Sequence, residues 1–120
     1  TIIACGVEVY EALLAHEELK KENISARVIN LHTVKPIDKN VIIKAAQETG
    51  AIVTAEEHTI MGGMGSAVSE VVSQSLPVPM EFIGVKDRFG ESGDPKELFK
   101  LFGLTSDDIV KAAKRVIARK

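Results

Sequence analysis

AIVTAEEHTIMGGMGSAVSEVV, residues 51–72, holds in 22 residues the repeating unit of a doubly wound α/β fold. Ala51-Ile52-Val53-Thr54-Ala55 is a short apolar run rich in β-branched residues, the pattern of a strand buried on both faces. Glu56, Glu57 and His58 follow at once as a polar rim, and Met61-Gly62-Gly63-Met64-Gly65 is a glycine-dense turn. Val68, Val71, Val72 and Leu76 then recur at helical spacing behind Ser66 and Ala67, small residues that let a helix start close to a sheet.

Upstream the same alternation repeats. Ile2 to Cys5 is a first strand with Gly6 as its turn, and Val9, Ala12, Leu13, His16 and Leu19 fall on one arc of a helix ending near Asn23. Ala26 to Leu31 is a second strand, and the loop His32 to Lys35 follows it. Asp38 is placed to cap a helix lined by Val41, Ile42, Ala45 and Ala46 and closed by Gly50. Downstream, Pro77-Val78-Pro79 breaks the chain and Met80 to Val85 is a fourth strand. Lys86 to Gly93 is polar and glycine-rich, hence a loop. Asp94-Pro95-Lys96-Glu97 carries the cap signature of a short helix ending at Gly103, and Thr105 to Asp108 opens a last helix with Ile109, Ala112, Ala113, Val116 and Ile117 inward.

Strands alternating with helices imply a three-layer α/β/α arrangement, a mainly parallel sheet in the order 2-1-3-4 and right-handed crossovers. The strand order reverses between the first and third strands, and ligands of such folds bind there, beyond the carboxyl ends. Gly6 to Glu8, Asn30 to Lys35, Glu56 to His58 and Val85 to Arg88 collect at that edge.

At 120 residues the chain has room for one domain, residues 1–120. A net charge of −2 argues against a nucleic-acid or anionic-membrane surface. The single cysteine, Cys5, excludes an internal disulfide and suits a reducing cytoplasm. No apolar run reaches the roughly 18 residues of a membrane span. The chain opens in a strand without an initiator Met, which is expected of a piece of a longer polypeptide.

Each chemical candidate has a plainer reading beside it. Glu56, Glu57 and His58 could form an acid/base set, since neighbouring carboxylates can raise one another's pKa. Residues leaving a strand alternate in direction, however, which favours a polar strand end with one carboxylate capping a loop. Gly62-Gly63-x-Gly65 before a helix could present N–H groups to a phosphate. It lacks the dinucleotide order and any Lys-Ser/Thr, so a tight turn is favoured. His16, His32 and His58 lack ligand spacing, and His16 reads as a structural histidine. The serines lack a G-x-S-x-G elbow. Phe89, flanked by Asp87 and Arg88, either anchors in its own domain or fills a partner's pocket.

Four segments, IIACGVEVYEALLA, ARVINLHTVKPID, AIVTAEEHTIMGGMGSAVSEVV and VKDRFGESGDPKELFKLFGLT, resemble the C-terminal domain of the transketolase family almost from end to end. The nearest likeness is to short, often split transketolases, whose C-terminal subunit carries a pyrimidine-binding domain followed by this one. One departure is Cys5-Gly6-Val7-Glu8-Val9, where the family more often has Thr-Gly-Ser-Glu-Val; a hydroxyl is lost where the first helix begins. The resemblance implies a parent enzyme moving two-carbon ketol units between sugar phosphates with thiamine diphosphate and Mg²⁺, both held by its other two domains. It implies no catalytic, cofactor or metal residue here, and an additional antiparallel strand upstream. It implies a structural and assembly role, with Glu57, His58, Gly62, Gly63, Asp87, Arg88 and Phe89 as candidate contacts to the pyrimidine- and diphosphate-binding domains, in a homodimer or heterotetramer, without nucleic acid or membrane. Two alternatives remain open: a small-ligand regulatory module in the crevice, and the equivalent domain of deoxyxylulose-phosphate synthase or a 2-oxoacid dehydrogenase beta subunit.

Overall fold

The computed structural model describes residues 1–86, 90 and 92–120. Four strands, β1 (Ile2–Ala4), β2 (Val28–Asn30), β3 (Ile52–Thr59) and β4 (Met80–Val85), form a parallel sheet in the order β2-β1-β3-β4. Around it run α1 (Glu8–Lys21), α2 (Lys39–Thr49), α3 (Met64–Ser75), α4 (Pro95–Phe102) and α5 (Ser106–Ala118). This is the expected architecture, and its two cores follow from the period-two alternation of strands. Ile2 and Ala4 of β1 and Val53 and Ala55 of β3 pack on α1 and α5, with Ala12, Leu19, Ile109 and Ala112. Ile3 and Ile52 point to the opposite face, against Ile42 and Ala46 of α2 and Met64, Val68 and Val72 of α3. Each fully buried isoleucine contributes roughly 1.5–3 kcal/mol by leaving water.

The caps set where the helices start and stop. Asp38 accepts the Val41 N–H at 3.1 Å, and Gly50, at φ 72°, ends α2 with its N–H on the Ala46 carbonyl. Thr105 and Asp108 form a reciprocal capping box at the start of α5. The Asp94 signature is only partly realised: Pro95 occupies the first turn of α4, yet the Asp94 side chain makes no capping hydrogen bond.

Three expectations are corrected. β3 does not stop at Ala55 but runs to Thr59, because the chain bulges: Ala55 pairs with Ile83 and Thr59 with Val85. Three residues of β3, Glu56 to His58, thus lie opposite one of β4, Gly84. Leu76 lies past α3 and, like Ile117, is substantially exposed. The inward arc of α1 is also out of phase with the expectation. Its buried residues are Glu8, Ala12, Ala15 and Leu19, whereas Leu13 is half exposed. Alanines take the inward places because α1 lies tight against the sheet and against Ala112 and Ala113 of α5. That phase carries a carboxyl inward with them.

Candidate functional site at the carboxyl edge of the sheet

The bulge governs the geometry of this edge. Ile60 N–H still bonds to the Val85 carbonyl, at 3.0 Å, so the chain arches over Gly84 between two anchored ends. A Cβ on Gly84 would stand 2.6 Å from Ile60 Cγ2 and 2.9 Å from the His58 carbonyl oxygen, so only glycine fits beneath the arch. Beyond it, Ser66 closes the glycine turn: its hydroxyl accepts the Gly62 N–H at 3.0 Å and donates to the Ile60 carbonyl at 2.8 Å.

Glu56 occupies the centre. Its carboxylate is buried and accepts the N–H of Met64 and the N–H of Gly65, each at 2.7 Å. These are orphan donors of the first turn of α3, whose N-cap, Gly63, has no side chain to serve them. A carboxylate there also meets the positive end of the helix dipole. The glycines make room for it. A Cβ on Gly63 would lie 2.2 Å from Glu56 Oε1, and one on Gly65 would lie 2.6 Å from Thr54 Oγ1. The turn is therefore an anion cradle filled from within the chain. The reading of one carboxylate capping a loop holds, and the phosphate reading does not: a diphosphate would have to displace Glu56.

The other members of the polar rim make no hydrogen bond to Glu56, and His58 comes nearest to it. Glu57 is exposed, and His58 is largely exposed, its Nδ1 donating to the Thr59 carbonyl at 2.8 Å and lying 3.8 Å from Glu56 Oε1. Gly62 (φ 76°) and Gly63 shape the turn. Asp87, Arg88 and Phe89 lie outside the described residues. His16 is structural, its Nδ1 2.8 Å from the Ala26 carbonyl. His32 is exposed and bonds to Thr33. Among the described residues, no group of three or more His, Cys, Asp or Glu side chains could hold a metal ion. Nor is any helix of these residues long and apolar enough to cross a membrane.

The residue the sequence pattern did not single out is Glu8. It is completely buried in the first turn of α1, and both carboxyl oxygens lack a hydrogen-bond partner among the described residues. Burial, and then the charges of Glu11, Glu57 and Asp108, push its pKa from 4.5 to about 8. The start of α1 is otherwise uncapped, since Val7 stands at its N-cap and offers no acceptor. Correct helical phasing, with Glu8, Ala12, Ala15 and Leu19 at i, i+4, i+7 and i+11, was the available signal.

With this geometry established, comparison with known proteins places the chain. Residues 1–109 match the family model described as transketolase, C-terminal domain. The chain belongs to the transketolase C-terminal domain family. It is 49% identical, over its whole length, to the 6-deoxy-6-sulfo-D-fructose transketolase subunit SqwH of Clostridium sp. (strain MSTE9), covering 37% of that protein. It is 43% identical over 94% of its length to an apulose-4-phosphate transketolase subunit of Phocaeicola vulgatus, covering 36% of it. A solved structure described as a split gene transketolase, inactive beta4 tetramer, superimposes with a TM-score of 0.94 at 44% identity, covering 98% of this chain and 38% of that one. The chain thus spans little more than a third of the length of these relatives.

Thiamine diphosphate, the coenzyme this family implies, finds no fit among the described residues. The helix-start cradle that suits a diphosphate holds Glu56, and the carboxylates that could hold its metal are not grouped.

Proposed function

We propose that this transketolase C-terminal domain is a structural and assembly unit, residues 1–120, of a cytoplasmic transketolase. That enzyme would transfer a two-carbon ketol unit between sugar phosphates, with thiamine diphosphate and Mg²⁺ held by the pyrimidine- and diphosphate-binding parts of the same assembly. The observation that carries the reading is the Glu56 clasp: the domain's anion-binding geometry serves to fix β3 to α3. The chemistry of this edge is thereby committed to holding shape.

The exposed flank of the arch remains available for contact. Glu57, His58 and the Gly62–Gly63 turn would meet the pyrimidine-binding domain, and Asp87, Arg88 and Phe89, outside the described residues, are candidates for the same contact. A second support is the outer side of α1, where Val7, Tyr10 and Leu13 are about half exposed or more. The regulatory alternative would need the same crevice, whose glycine turn Glu56 already fills. The named relatives are transketolase subunits, which favours a transketolase parent over the related synthase and dehydrogenase.

The test is substitution of Glu57 and His58 by alanine in the intact enzyme, followed by sedimentation and activity. The expected outcome is weaker assembly at low protein concentration, with activity restored when concentration rises. Unchanged assembly with lost turnover would contradict the proposal, because it would give these residues a part in the chemistry.

A further inference from the structure

Glu8 is a costly residue to bury alone. A carboxyl without hydrogen bonds is hard to keep in an interior unless it stays neutral. Among the described residues, the charged groups that act on it are Glu11 on α1, Glu57 on β3 and Asp108 on α5, and all are acids. The Cys5 thiol beyond β1 is a further titratable neighbour, itself pushed up by burial and then by Glu56 and Glu8. From α4, Lys96 and Lys100 line the groove beside Val7 and Glu11 without pairing with Glu8. Complete burial also closes Glu8 to a ligand from solvent.

One helical turn on, Glu11 does specific work. Its Oε2 accepts the Ser106 N–H at 2.8 Å and so clasps the start of α5 to the start of α1. Residues at i and i+3 are neighbours on a helix surface, and like charges there repel. The geometry points to a proton-controlled latch: neutral Glu8 permits the Glu11–Ser106 clasp, and loss of the Glu8 proton drives α1 and α5 apart at the carboxyl edge of the sheet. Proton loss puts a negative charge beside Glu11 where no described cation pairs with it, and separation gives the new carboxylate access to water. Just past the far end of α5, Arg119 binds the Glu81 carboxylate (2.8 Å) and the Met80 carbonyl (2.9 Å), which ties that end of the helix to the amino end of β4.

The experiment is carboxyl-¹³C and amide NMR of the intact polypeptide, labelled on glutamate and nitrogen, from pH 4 to 10, for wild type, Glu8→Gln and Cys5→Ser. In wild type and Cys5→Ser, the Glu8 carboxyl is expected to titrate with a midpoint near 8, and the Ser106 amide should shift over the same range. Glu8→Gln should lose both transitions. Relative to that variant, the folding constant of wild type should fall about tenfold per pH unit between 4.5 and about 8. A Glu8 midpoint in the ordinary carboxylate range would overturn the latch, and this measurement needs only wild type. So would a Ser106 shift that persists in Glu8→Gln or disappears in Cys5→Ser.

Discussion

Glu56 and Glu8 are both buried glutamates at the carboxyl edge of one sheet, on opposite faces of it, and the chain treats them in opposite ways. Glu56 meets two N–H donors at the start of α3, in space cleared by Gly63 and Gly65. Among the described residues, Glu8 meets no donor and feels the charge of three acids. The difference teaches that burial alone does not decide what a carboxyl does. Donors decide it: with them the group is a clasp, without them it is a store for a proton.

The largest expected effect lies on the Glu8 side. Its folded pKa stands above its unfolded value, so its stabilising contribution is complete below pH 4.5 and drains away as pH rises to about 8. The span of about 3.5 units corresponds to roughly 5 kcal/mol, read by urea unfolding of wild type against Glu8→Gln across that range. On the other side, Glu56→Ala orphans the Met64 and Gly65 N–H groups in the interior. A loss of about 3 kcal/mol at neutral pH is expected in the same assay. If Glu56→Ala were neutral while Glu8→Gln removed the pH dependence, the clasp half of the contrast would fail alone.

Gly63→Ala sharpens the comparison further by leaving Glu56 in the chain but driving a methyl into its carboxylate. About 2 kcal/mol should be lost, with amide shifts confined to the turn and the start of α3. The smallest effect belongs to Thr105→Ala, which removes half of the box that holds Asp108 beside the Glu8 group. About 1 kcal/mol is expected from thermal unfolding, together with a lower Glu8 midpoint if Asp108 moves away.

Much of this was legible from the sequence, for definite reasons. The parallel sheet and its order followed from apolar runs such as Ile52-Val53 alternating with helical stripes, and both Asp38 and Gly50 announced the ends of α2. That one carboxylate of the rim would serve as a cap was legible because residues leaving a strand alternate in direction; which one it is, Glu56, was not. The extension of β3 was not, since a bulge depends on how β4 pairs with it, and a local pattern carries no record of pairing. Glu8 was hidden by phase. Leu13 is the more apolar residue, yet tight packing selects Ala12 and Ala15 for the inner side and brings Glu8 in with them. Gly84 reads as an ordinary strand residue until the arch above it is seen.

The most direct measurement is amide NMR of Met64 and Gly65 while the intact polypeptide is titrated with thiamine diphosphate and Mg²⁺. With Glu56 already holding both N–H groups, the two signals are expected to stay in place up to millimolar coenzyme. A saturable displacement of both at micromolar coenzyme would contradict that, because it would mean the cradle opens to a diphosphate and the carboxyl edge takes part in holding the cofactor.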